Sequence, residues 1–219
     1  MMYSEQSLPC SRCGERHNVV IHSGINVSEN PELKAKVLDG SAFLWECPHC
    51  GQLNLIKGTP LYHDPEEKIM IWVTGGDYKI EEQVSASFDV SALPEGYTLR
   101  FVADTGSLIE KVKIFDDGLD DIAIELCKYV TRTEMIDRDK LRGEDAAAMM
   151  EAPFKYLKMD GADNEMVFSY PMKGQLEMVV IGLNVYQDAL AIIGRNPVLR
   201  ERAEGFVRID SAWLAGILA

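Results

Sequence analysis

The sequence predicts an α+β fold, and three observations carry that prediction. Short segments of period-two alternation dominate the first third of the 219 residues. A long stripe of period 3.6 runs from Leu119 to Val130, and turn-separated alternating segments follow it between Phe154 and Leu183. Strands and helices are thus grouped instead of strictly alternating, which favours mainly antiparallel sheets over a doubly wound parallel one. A composition of 47% hydrophobic and 26% charged residues is that of a chain with a real core.

The elements follow in order. After Cys10-Ser-Arg-Cys13-Gly14, Asn18–His22 reads as a strand. Asn30-Pro31-Glu32 is helix-start chemistry: a cap, a proline at the first helical position and an acid in the first turn. Leu33, Val37 and Leu38 give that helix its apolar edge, and Gly40 its stop. Ala42–Glu46 reads as a strand entering Cys47-Pro48-His49-Cys50-Gly51. Leu53 and Leu55 mark a strand leaving it, and 68–73 a third, more buried strand. The polar run from Gly76 to Gly96 is expected to connect two halves, with Ala86–Val90 pairing as a strand. Leu99–Val102 opens the second half, followed by a helical stretch. A helix on the 119–130 stripe has Asp120 and Asp121 in its first turn. Phe154–Lys158 and Met166–Tyr170 form an expected hairpin across Asp160–Asn164, and Gln175–Leu183 a further strand. A helix over Tyr186–Ile193, a short strand over Phe206–Ile209 and a last helix capped by Asp210 or Ser211 complete the chain. The expected organisation is residues 1–75, a connecting segment 76–96, and a mixed α+β domain over 97–219.

Net charge is −13, divided as −3 over residues 1–75 and −10 over 76–219. Neither half offers the basic stripe that phosphate neutralisation requires, which argues against nucleic acid and against an anionic membrane surface. The longest apolar run, Met178–Leu183, is far short of the ~20 residues that span a bilayer. Met1–Pro9 has no basic start and no apolar core, so a cytoplasmic protein is expected.

Cys10, Cys13, Cys47 and Cys50 form two C-x-x-C pairs 33 residues apart, each followed directly by glycine. Two intervening residues let both sulfurs sit about 3.7 Å apart on one ion, as Zn–S bonds of about 2.3 Å at tetrahedral angles require. The glycine frees the backbone for the tight turn that aims amides at thiolates. Four thiolates make a closed structural zinc site with no open position for chemistry, and a strand beginning or ending at each pair gives a zinc ribbon with an inserted helix. The rival is redox chemistry. Cys47-Pro48-His49-Cys50 is also the active tetrapeptide of thioredoxin-fold disulfide oxidases, where the first thiol starts a helix. Here strand-like Gln52-Leu53-Asn54-Leu55 follows instead.

The remaining candidates have plainer readings. Cys127 lies on the apolar stripe and reads as a buried small hydrophobe. His49 is expected at the solvent-facing tip of its turn. His17 and His22 flank a strand and could replace a thiolate, but four cysteines already complete the site. Tyr62-His63-Asp64-Pro65 would be the place for acid–base chemistry, though Asp-Pro reads first as a capped turn. Asp116, Asp117, Asp120 and Asp121 lack the spacing of a calcium loop. No phosphate loop, dinucleotide fingerprint, nucleophile elbow or H-E-x-x-H occurs.

Both C-x-x-C-G turns, with Ser23–Val27, Asn30–Lys34, Leu38–Gly40, Pro60–Asp64, Lys68–Ile71, Leu108–Lys111 and Leu119–Asp121, resemble the CpXC family of bacterial and archaeal proteins over roughly residues 8–130. The first turn departs from that family's pattern, since Ser11 stands where it has proline. Proline ligates nothing, so the resemblance still implies the four matching cysteines and a prokaryotic origin; it implies no reaction. The expectation is a non-catalytic cytosolic protein with one structural zinc on Cys10, Cys13, Cys47 and Cys50, acting in interaction or assembly with an unknown protein partner. Self-association is left open. The alternative is a thiol–disulfide oxidoreductase with Cys47 as nucleophile and Cys50 as resolving thiol.

Overall fold

A computed structural model describes residues 3–172 and 174–218. It is a mixed α+β protein that divides into two units, one of residues 1–109 with 204–207, the other of residues 110–203 with 208–219.

The first unit begins with β1 (Tyr3–Pro9) and β2 (Arg16–His22), an antiparallel hairpin in register from Tyr3 opposite His22 to Pro9 opposite Arg16. β3 (Gly24–Asn26) leads into α1 (Glu32–Leu38), whose Leu33 and Val37 are buried. Pro31, not Asn30, is its capping residue, with no side-chain cap bond, and Gly40 follows in the left-handed conformation (φ 82°) that a side chain resists. β4 (Leu44–Glu46) is shorter than the alternation suggests because residues 41–43 wind into a 3-10 turn. It pairs antiparallel with β5 (Leu53–Leu55). β6 (Leu61–Asp64) and β7 (Ile69–Val73) are antiparallel, and the region read as a capped turn thus begins as a strand.

The segment 86–90, expected as a strand, is not one. Its first two residues end α2 (Tyr78–Ser87), which is capped by Asp77, whose carboxylate accepts the Lys79 N–H at 2.9 Å, and a 3-10 turn takes residues 90–92. β8 (Thr98–Val102) pairs parallel to β7, giving a four-stranded sheet of order β3-β6-β7-β8 in which β3 and β6 are also parallel. The expected strand over 206–209 reduces to a single bridge, Val207 to Arg100. Phe206 earns its place by packing: it stacks on Phe101 at 5.0 Å and meets Phe88 edge-on at 5.1 Å.

The division between the units falls within α3 (Thr105–Asp116). The second unit is built on α4 (Asp121–Arg138), which carries the 3.6-period stripe. Asp120 caps it, accepting the N–H groups of Ile122 and Ala123 at 2.9 and 3.1 Å. α5 (Gly143–Glu151) follows, then an antiparallel sheet of order β11-β10-β9, from β9 (Lys155–Asp160), β10 (Glu165–Met172) and β11 (Gln175–Gly182). α6 (Leu183–Arg195), α7 (Val198–Glu201) and α8 (Ser211–Leu218) complete it, with the Asp210 carboxylate accepting from Trp213 N–H at the start of α8. α4 packs against α5, α6 and α8. No described helix is long and apolar enough to cross a membrane.

Candidate metal centre

Each cysteine pair sits in the turn of an antiparallel hairpin, and the two turns have the same backbone plan. The Cys10 N–H donates to the Glu15 carbonyl and the Gly14 N–H to the Cys10 carbonyl, at 2.8 and 3.0 Å. In the second turn Cys47 N–H bonds the Gln52 carbonyl and Gly51 N–H the Cys47 carbonyl, at 2.9 and 2.8 Å. Closing such a turn requires positive φ after the second cysteine, and Gly14 and Gly51 supply it at 76° and 69°.

The two turns converge. Cys10 Sγ is 3.6 Å from Cys50 Sγ, Cys13 Sγ is 3.7 Å from Cys47 Sγ, and all four sulfurs lie within 4.8 Å of one another. A tetrahedral ion with bonds of about 2.3 Å has ligand sulfurs about 3.75 Å apart, so this donor set fits a thiolate-loving divalent ion. None of the four is in a disulfide. Cys10 and Cys47 are buried, while Cys13 and Cys50 are partly exposed.

Electrostatics point the same way. Burial pushes the Cys10 thiol up, but N–H groups of its own turn and the thiols of Cys50 and Cys13 outweigh it, taking it down to about 6. At Cys13 the N–H of Glu15 favours the thiolate, but burial and the three neighbouring sulfurs prevail and push it up to about 12. Cys50 is raised as well: the N–H of Gln52 lowers it, against burial and the thiols of Cys10 and Cys47. Four thiols this close do not all ionise unless a cation shares their charge.

Two polar side chains complete the surroundings. Asn54 is buried at the middle of β5, between the exposed Leu53 and Leu55. Its Oδ1 accepts the N–H and hydroxyl of Ser11 at 2.8 and 2.7 Å, and its Nδ2 donates to the Gln52 carbonyl at 2.9 Å and to Cys10 Sγ at 3.8 Å. Asn54 therefore ties the second hairpin to the first turn. His17 Nε2 lies 3.5 Å from Cys47 Sγ, its ring tilted against Trp45. Sequence reasoning weighed His17 only as a substitute ligand and passed over Asn54. The signal for Asn54 was an amide between two leucines in a strand leaving a cysteine turn.

Among the described residues the metal-capable group consists of the four cysteines, without the other candidates. His49 is exposed and Cys127 is buried, its thiol pushed up to about 12 by burial. His22 borders a separate cavity of about 400 Å³ with Lys36, Glu29 and Glu32. His63 and Asp64 are neighbours on β6 but engage different partners: His63 Nε2 meets the Tyr97 hydroxyl at 3.0 Å, whereas buried Asp64 takes Lys34 at 3.3 Å, the Tyr62 hydroxyl and the Glu67 N–H. Among the four aspartates, Asp120 caps α4, Asp121 pairs with Lys111 at 2.8 Å, and Asp117 accepts from the Tyr156 hydroxyl.

These features define an α+β protein with a four-cysteine centre, near its N-terminus, that could hold a metal ion. The family model described as CpXC protein matches residues 8–128, more than half the chain, and the chain belongs to the CpXC family. Neither the curated proteins nor the solved structures give a match.

Proposed function

We propose that the chain is a non-catalytic zinc protein in which Cys10, Cys13, Cys47 and Cys50 hold one structural zinc ion as a ribbon with an inserted helix, and that it serves protein interaction or assembly in a prokaryotic cytoplasm. The observation that carries the reading is the near-tetrahedral spacing of the four sulfurs. Four thiolates fill every position of a zinc ion, and their number and softness favour zinc over magnesium or calcium. An interaction role is supported by Leu44, Leu53 and Leu55, which are 40, 58 and 58% exposed on one face of the β4–β5 hairpin. Leu53 and Leu55 also border a cavity of about 570 Å³ with Trp45, Leu8 and Lys57. Exposed apolar groups gathered beside a rigid turn mark contact surfaces more often than single surface leucines do.

Elemental analysis of protein purified without chelator, with thiol counts before and after chelation, tests the reading. About one zinc per chain, with four thiols becoming reactive only on chelation, is the expected result. No bound metal and a titratable Cys47–Cys50 disulfide would replace it with the oxidoreductase reading. Against that alternative, Cys47 is buried and β5, not a helix, follows its turn. The reduced protein is therefore expected to show no turnover in insulin reduction.

A further inference from the structure

The second unit's sheet has two unlike edges. β9 carries Lys155, Lys158 and Asp160 and is bulged against β10 at Val167/Phe168, features that blunt a strand edge against further pairing. β11 has eight residues and a single charge, Glu177. Among the described residues nothing pairs with its outer edge. Alternate side chains along it face opposite ways. Ile181 is buried and Val179 half-buried, whereas Leu176, Met178 and Val180 are 70, 65 and 52% exposed. Three consecutive same-face positions of that kind form a continuous apolar stripe. A groove of about 430 Å³, lined by Val179–Gly182 and by Thr131, Met135 and the charged Glu134 and Arg138 of α4, adjoins the C-terminal half of the strand.

We propose that β11 is a dimerisation strand, pairing antiparallel with β11 of a second copy about a two-fold axis at Met178 and joining two three-stranded sheets into one of six. A second copy is favoured because the strand is complementary to itself in one register. A two-fold axis perpendicular to the sheet keeps each face on its own side, so the axis passes through a residue. With the axis at Glu177, two carboxylates stand opposite each other, which is destabilising. With the axis at Val179, Leu176 faces Gly182 and loses its contact. At Met178, Leu176 faces Val180, Met178 meets its own mate, and each Glu177 lies opposite a Val179. The stripe exposes on the order of 300 Å² of apolar surface per copy against the ~800 Å² per partner of a standard interface, so the strand edge and the adjoining groove are covered in the same contact.

Sedimentation or light scattering on the full chain tests this. The wild-type protein is expected at twice its 24.5 kDa chain mass. Met178→Lys sets two ammonium groups together at the axis and is expected to restore the monomer, with circular dichroism and melting unchanged. If that variant fails to fold, Met178→Cys decides. Side chains at the axis lie within disulfide reach, so it is expected to form a covalent dimer on mild oxidation, while Gln175→Cys, opposite Ile181, and wild type do not. A wild-type monomer at every concentration, including one that takes up an extended peptide from another protein, overturns the proposal. So does a dimer that persists in Met178→Lys, or a Met178→Cys that oxidises no faster than wild type.

Discussion

Asn54 occupies a strand position whose neighbours on both sides are exposed leucines, and its own side chain is 6% exposed. A buried amide is tolerated because every polar atom is engaged: Oδ1 by Ser11, Nδ2 by Gln52 and Cys10. Replacing it by leucine keeps the branched shape but removes the acceptor of the Ser11 N–H and hydroxyl and the donor to Cys10. Partners of metal ligands typically contribute 10–100-fold to affinity, so Asn54→Leu is expected to weaken metal binding by roughly that factor. Competition against a chromophoric chelator measures it, and unchanged affinity would reduce Asn54 to a packing residue. His63 gives a second test at this scale. Burial lowers its pKa below the ordinary histidine value, with Asp64 and Glu29 opposing, so the folded state favours the neutral imidazole beside Tyr97. A histidine whose folded pKa is depressed contributes stability that is present above about pH 6.5 and is lost as pH falls through the folded value. A proton NMR titration of the His63 ring is expected to give a midpoint below that of a model histidine, and a midpoint above it would contradict the reading.

At the scale of the element, α3, α4 and β9 carry a buried charge network that hydrophobic patterning does not reveal. Lys128 lies 2.6 Å from both Glu110 and Glu125, Lys155 adds a 3.1 Å contact to Glu110, and the Tyr156 N–H donates to the same carboxylate. Burial alone would raise the Glu110 pKa, but Lys128 and Lys155 outweigh it and hold the carboxyl below its usual range. Lys128→Met leaves two buried carboxylates without their shared cation. A loss of about 3–5 kcal/mol of stability is expected in denaturant titration, while exposed Lys158→Met on β9 is expected to lose almost nothing. The helical stripe 119–130 and the hairpins around 160 and 50 were legible because period and turn chemistry are local signals, whereas Asp120, read into the first turn, is the cap. α2 was not: its last residues, Ser85-Ala86-Ser87, have no helical stripe, and Asp77 after two glycines was the cap signal left unread. β1 is almost wholly polar and exposed, so no alternation announces it; its pairing with β2 comes from the cysteine turn between them. The parallel pairs β3–β6 and β7–β8 join distant segments, and no pattern within either strand encodes its partner.

Across the whole molecule, the cysteine hairpins differ from the rest of the chain in what holds them together, for Ile25, Tyr62 and Ile71 of the first unit's four-stranded sheet are fully buried as well. Among the described residues, the apolar cluster of the cysteine hairpins is formed by Val19, Ile21 and Ile56, with Leu8 and Trp45 packed against it. The second unit has a wide core in which Ile122, Ile124, Met149, Met166 and Phe168 are fully buried. A core of three residues cannot offset the ordering of two hairpins at ~1–2 kcal/mol per residue, so the hairpins need a cross-link. On the proposed reading, zinc on the four thiolates would supply it, contributing on the order of 10 kcal/mol and absent from the unfolded chain. Chelation is therefore expected to act regionally. Amide hydrogen exchange accelerates by orders of magnitude over residues 3–22 and 44–55, while α4 and the β9–β11 sheet keep their protection. The change reverses on adding one equivalent of zinc. Lowering the pH acts in the same direction, because protons compete with the metal for the thiolates. Exchange that accelerates equally in both units would mean that the metal stabilises the chain as one cooperative body, and exchange that does not change would mean that the hairpins stand on their few apolar contacts alone.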